Sequence, residues 1–99
     1  MLLPRLVHAW KNVPKSREGL QESPEAVAKR FFYDDLVFEP KAIRFLVETY
    51  GASQVLLGTD YPFNMGDPDP LATLSKAGLD AATAEAITGG NARRFLNLA

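Results

Sequence analysis

The chain has no cysteine, and His8 is its one histidine. The missing thiols exclude a disulfide framework and any thiolate metal site. With one imidazole, a histidine-built metal site would be short of donors. Neither sign of charge dominates: 11 Lys and Arg stand against 12 Asp and Glu, a formal net charge of −1. No field favours nucleic acid or an anionic membrane surface, so neither is expected as a partner. No apolar run approaches the roughly 20 residues of a membrane span. Met1-Leu2-Leu3-Pro4-Arg5 is apolar for too short a distance to be a signal peptide. A cytoplasmic location is the expectation. No internal repeat or low-complexity segment is present.

What the chain does contain centres on Gln54-Val55-Leu56-Leu57-Gly58-Thr59-Asp60-Tyr61-Pro62-Phe63. Three consecutive apolar residues bounded by glycine read as a strand buried on both faces, as in a parallel sheet. Pro62 cannot donate to a ladder, so pairing ends near it. Asp60 then lies at the strand's C-terminal end, where α/β folds bind their ligands. It is the first site candidate.

The remaining elements lead into this strand or pack behind it. Residues 1–12 carry Leu2, Leu3, Leu6, Val7 and Trp10 at helical spacing, which would put Arg5 and His8 on one face. Each of these two also reads as an ordinary surface side chain. Residues 11–22 read as a polar loop, long enough to be a wall or lid. Ser23-Pro24-Glu25 starts a short helix. Phe31 to Val37 suits a strand, with Asp34 either capping local backbone or facing the mouth of a sheet. Glu39-Pro40 opens a helix whose apolar stripe is Ile43, Leu46 and Val47, with Lys41, Arg44 and Glu48 largely outside it and Gly51 as its cap. Residues 31–57 therefore form a βαβ unit, calling for a parallel pair and a right-handed crossover. Beyond the turn-rich residues 64–70, Pro70 and Asp80 open two more helices, the second closed by Gly89-Gly90. Asn91 then caps a last short one.

Two parallel strands have open edges and apolar faces that a few short helices cannot easily cover. The expectation is an incomplete α/β domain, with 1–99 as one portion of a single larger unit.

Four segments, in order, carry a resemblance to a known family: Arg5-Leu6-Val7-His8-Ala9-Trp10; Phe31 to Pro40; Val55 to Phe63 with Met65-Gly66; and Gly89-Gly90-Asn91-Ala92-Arg93-Arg94-Phe95-Leu96. The chain resembles the C-terminal third of amidohydrolase-related metal enzymes, in the branch containing aminocarboxymuconate-semialdehyde decarboxylase. The resemblance implies a (β/α)₈ TIM barrel, with residues 31–37 as strand seven, 41–50 as its helix and 54–59 as strand eight. It implies that Asp60 is both a ligand of a divalent metal such as zinc and a catalytic group. It implies that Arg5 holds a substrate carboxylate through its planar fork and that Phe63 lies beside the substrate. No role carries over to His8. The implied partners are a small carboxylated substrate and the missing N-terminal portion of the barrel; the resemblance also allows a homodimer of the full-length form.

The family's His-x-His pair and its further histidines have no counterpart here. A lone aspartate does not make a zinc site, which takes three or four protein ligands. Two readings follow: part of a metal-dependent decarboxylase or hydrolase, inactive by itself, or a non-catalytic remnant or interaction module that retains barrel packing.

Overall fold

The computed structural model describes residues 2–98. The chain divides into two compact units, Met1–Phe31 and Phe32–Ala99.

In the first unit, α1 spans Leu3–Asn12 with a proline in its first turn, where the missing N–H removes no helical bond. The expected loop after it is partly ordered. Pro14–Arg17 forms a 3₁₀ turn, pinned by the Ser16 hydroxyl donating to the carbonyls of Ala9 and Val13 at 2.8 and 2.7 Å. The Arg17 guanidinium lies 5.8 Å from the centre of the Trp10 ring, within cation–π range. Helix α2, Pro24–Ala28, starts as its sequence predicts: Ser23 Oγ accepts from Ala26 N at 3.2 Å.

The second unit holds the expected βαβ arrangement: β1 at Tyr33–Asp34, α3 at Pro40–Tyr50 and β2 at Val55–Leu56. The strands are parallel, with Tyr33 opposite Val55 and Asp34 opposite Leu56. Both are far shorter than the predicted 31–37 and 54–59. Past Asp34 the backbone curls away: Asp34 Oδ1 accepts from Leu36 N, and Val37 N donates back to Asp35 O at 2.7 Å. Phe38 then takes a φ of 60°. Across β2, Leu57 N donates to Ile87 O at 3.1 Å, so a helical carbonyl stands where a third strand would.

Helix α3 buries Ile43 completely, and Leu46 and Val47 pack against the same core, completed by Val55, Leu74, Ala77 and Ile87. Arg44, expected largely outside the apolar stripe, still has a partner in the fold. It is half-buried, and its Nη1 donates to Ala77 O at 3.0 Å. Tyr50 stacks on Tyr33 with ring centres 4.1 Å apart. Gly51 ends the helix as expected, at φ 96° and ψ 141°, a conformation open to glycine but outside the left-handed region that such caps usually adopt.

Helix α4, Pro70–Ser75, is capped by Asp69, whose Oδ1 accepts from Ala72 N at 3.1 Å. Helix α5, Ala81–Glu85, is capped by Asp80 accepting from Thr83 N at 2.7 Å. Gly89-Gly90 do not close it. A π-helical turn, Ala86–Gly90, continues directly into α6, Asn91–Phe95. Asn91 therefore caps nothing: its backbone is helical (φ −67°, ψ −41°), whereas an N-cap residue is extended. Its side chain is buried instead, with Nδ2 donating to Ala52 O and Val55 O at 2.7 Å each. Among the described residues no helix is long and apolar enough to cross a membrane.

Candidate functional site

Strand β2 ends where a run of polar and small residues begins, and the backbone there folds into a closed loop. Asp67 N donates to Thr59 O at 2.9 Å, joining its ends. Inside it, Tyr61 N donates to Thr59 Oγ1 at 3.2 Å, Phe63 N to Asp60 O and Gly66 N to Phe63 O, each at 2.9 Å. Asp67 Oδ1 then accepts from Asp69 N at 2.9 Å, which links the loop to the cap of α4. The Tyr61–Pro62 peptide is cis.

Asp60 sits at φ 55°, in the left-handed region that aspartate and asparagine enter more readily than other non-glycine residues. Backbone outliers of this kind collect at functional sites. Asp60 is an exposed residue, four positions beyond the end of β2. Phe63 lies in the same loop, joined to Asp60 through the backbone bond above. It is 68% exposed, alongside Tyr61 at 87% and Met65 at 78%. Phe63 also borders a cavity of about 300 Å³ lined by Thr59, Tyr61, Pro62, Asn64 and Asp67 among others. Arg5 is an exposed residue of α1 in the first unit. His8, three residues on, is exposed; Asn12 Nδ2 donates to its backbone carbonyl at 2.8 Å.

Gly66 has no room for a side chain. A Cβ there would lie 2.4 Å from Thr59 O, 2.9 Å from Phe63 O and 3.2 Å from Asp60 O. All three are backbone carbonyls of the loop, so no side-chain rotation relieves the clash. Gly66→Ala is therefore expected to destabilise by about 1–3 kcal/mol through overpacking. Gly89→Ala, which meets nothing within 4 Å, should be neutral or stabilising by roughly 0.5–1 kcal/mol. Denaturant midpoints of the two variants check the contrast.

One residue at this mouth escapes sequence reasoning. Asp35 is only 4% exposed, and its Oδ1 accepts from Gly58 N at 2.8 Å. Burial pushes its carboxyl above the ordinary range; the N–H groups of Gly58 and of Asp35 itself pull it back, and the charges of Asp34 and Asp67 push it up again. Asp34 takes the local role considered for it, accepting from Leu36 N at 3.0 Å. Strand alternation implies that adjacent acids face opposite sides, so one of the pair had to point inward. Which one depends on register.

Among the described residues no group of three or more His, Cys, Asp or Glu side chains could hold a metal ion. Asp60 offers a single donor, and the residues present do not by themselves fit a zinc site. Titrating the 99-residue chain with zinc should accordingly show no tight one-to-one binding by calorimetry. A stoichiometric submicromolar site would contradict this assignment of donors.

A sequence model of the amidohydrolase family matches residues 3–98. The chain belongs to the amidohydrolase family. Within it, the chain is 40% identical over 78 residues to a 2-amino-3-carboxymuconate-6-semialdehyde decarboxylase of Dictyostelium discoideum, covering 77% of this chain and 21% of that protein. A protein of the same name from Caenorhabditis elegans is 36% identical over 64 residues, 64% of this chain and 16% of that one. The amidohydrolase chain thus spans about a fifth of these relatives' length. The crystal structure of 5-carboxyvanillate decarboxylase LigW from Sphingomonas paucimobilis superposes with a TM-score of 0.80. The match covers 99% of this chain and 30% of that one, at 22% identity. That likeness is one of fold. It relates this amidohydrolase chain, with its helices and two-stranded parallel sheet, to part of a TIM-barrel enzyme rather than to a complete barrel.

Proposed function

We propose that residues 1–99 are the C-terminal portion of a single amidohydrolase-type barrel domain, with β1 and β2 as its last two strands. The complete enzyme would be a metal-dependent decarboxylase or hydrolase acting on a small carboxylated substrate. The observation that carries the reading is Asp60. It is a carboxylate at the C-terminal end of a parallel strand, held at φ 55° by a loop whose backbone bonds close on themselves, where barrel enzymes keep their chemistry. In this reading Asp60 is one donor to a divalent metal such as zinc, the other donors coming from residues outside this chain. Arg5 binds the substrate carboxylate, which suits a bidentate guanidinium, and Phe63 packs beside the substrate. Decarboxylation is favoured over hydrolysis by Arg5, by the Tyr61-Pro62-Phe63 string and by the names of the two relatives.

A chimera tests this directly. Residues 1–99 replace the segment they match in the Dictyostelium decarboxylase, and release of carbon dioxide from 2-amino-3-carboxymuconate-6-semialdehyde is followed. Turnover that depends on added divalent metal is the expected result. A chimera that folds but shows none would favour the second reading, a non-catalytic module that keeps the barrel's packing.

A further inference from the structure

Strands β1 and β2 part company in an unusual way. Asp34 is paired with Leu56, and Asp35 N still donates to Leu56 O at 2.9 Å. In a parallel ladder, the residue that donates to Leu56 O would next accept, through its own carbonyl, from the N–H of Gly58. That carbonyl serves Val37 N instead, accepting from it at 2.7 Å as the chain curls away. The Asp35 side chain stands in, with Oδ1 2.8 Å from Gly58 N. The carboxylate is almost wholly buried, a state that carboxylates tolerate when their oxygens are hydrogen-bonded. Gly58 suits the approach because a Cβ there would come within 2.9 Å of Asp34 Cβ.

We propose that Asp35 is a positioning residue for the Asp60 loop. Its carboxylate replaces the missing ladder carbonyl and sets the point at which β2 gives way to residues 59–67. The proposal rests on the reading of Asp60 as a site residue for its functional meaning, but its structural part stands separately. Gly58 is two residues before Asp60, and the next backbone bond, between Thr59 and Asp67, closes the loop. Releasing Gly58 N would therefore loosen the loop at its root while leaving the Ile43–Leu74–Ile87 core in place.

Hydrogen exchange read by mass spectrometry on the 99-residue chain tests this. Asp35→Leu removes the acceptor and should speed exchange across residues 57–67 by about 5- to 100-fold, with core peptides around Ile43 and Leu74 changing less than about twofold. Asp35→Asn keeps an acceptor oxygen and should stay within about threefold of the parent. Should Asp35→Leu fail to fold, Asp35→Glu moves the carboxylate by one methylene and should speed exchange in 57–67 alone. Three results would overturn the proposal: unchanged exchange in 57–67, equal acceleration in loop and core, or an asparagine variant that behaves like leucine. In the decarboxylase chimera, Asp35→Asn should keep kcat and Asp35→Leu should lower it. If instead Asp60→Asn retains turnover there, the reading of Asp60 fails while the exchange result still decides the role of Asp35.

Discussion

Asp60→Asn should lower turnover of the decarboxylase chimera by roughly 10³-fold or more, the equivalent of about 4 kcal/mol of transition-state stabilisation. Asparagine is the informative substitution because of the backbone. Asp60 occupies φ 55°, and asparagine enters this left-handed region about as readily as aspartate. Alanine would add strain to the loss of the carboxylate and blur the result. The bonds described for the loop, from Phe63 N to Asp60 O, from Asp67 N to Thr59 O, from Tyr61 N to Thr59 Oγ1 and from Gly58 N to Asp35 Oδ1, use no atom of the Asp60 side chain and survive the change. The asparagine variant should therefore fold with the stability of its parent, as judged by its unfolding midpoint, while losing activity. Undiminished carbon dioxide release would remove Asp60 from the site.

Asn91→Asp should be strongly destabilising for so conservative a change. As a helix cap, aspartate would serve as well as asparagine, and a negative charge at a helix start is favourable. Asn91 instead sits inside a continuous helical segment and is 2% exposed, with its amide nitrogen donating to Ala52 O and Val55 O at 2.7 Å. A carboxylate donates to neither. It would place buried charge against two carbonyls and leave both without partners, at about 1–3 kcal/mol for each unsatisfied group. A combined loss of about 2–6 kcal/mol is a large part of the whole stability of a small domain. Urea unfolding should show the Asn91→Asp midpoint collapsing, while Asn97→Asp, at an exposed position, changes little. An Asn91→Asp variant as stable as the parent would restore the capping role.

The contrast between a cap and a latch shows which features could be seen in the residues alone. Ser23, Asp69 and Asp80 each accept from an amide three residues ahead, and Asp34 from one two residues ahead. Such bonds depend only on the dihedral angles of one turn, so the local sequence is enough to predict them. The apolar face of α3, the parallel pairing and the position of Asp60 beyond a strand were legible for the same reason, although only Val55 of that strand is fully buried. Each follows from a pattern of period 3.6 or 2, or from a punctuating glycine or proline.

Arg44, Asp35 and Asn91 are different. Their partners lie 33 residues away for Arg44, 23 for Asp35, and 39 and 36 for the two acceptors of Asn91. No local pattern encodes which carbonyl or amide a side chain meets at that separation. It depends on strand register and on where β1 curls away, and two paired residues per strand leave register to be set by the packing of Ile43, Val55 and Ile87. The sequence by itself determined that a carboxylate stands at the end of β2. The tertiary structure alone decided that a second, buried carboxylate just past the neighbouring strand holds the amide two residues before it, because only the folded register brings Asp35 to Gly58.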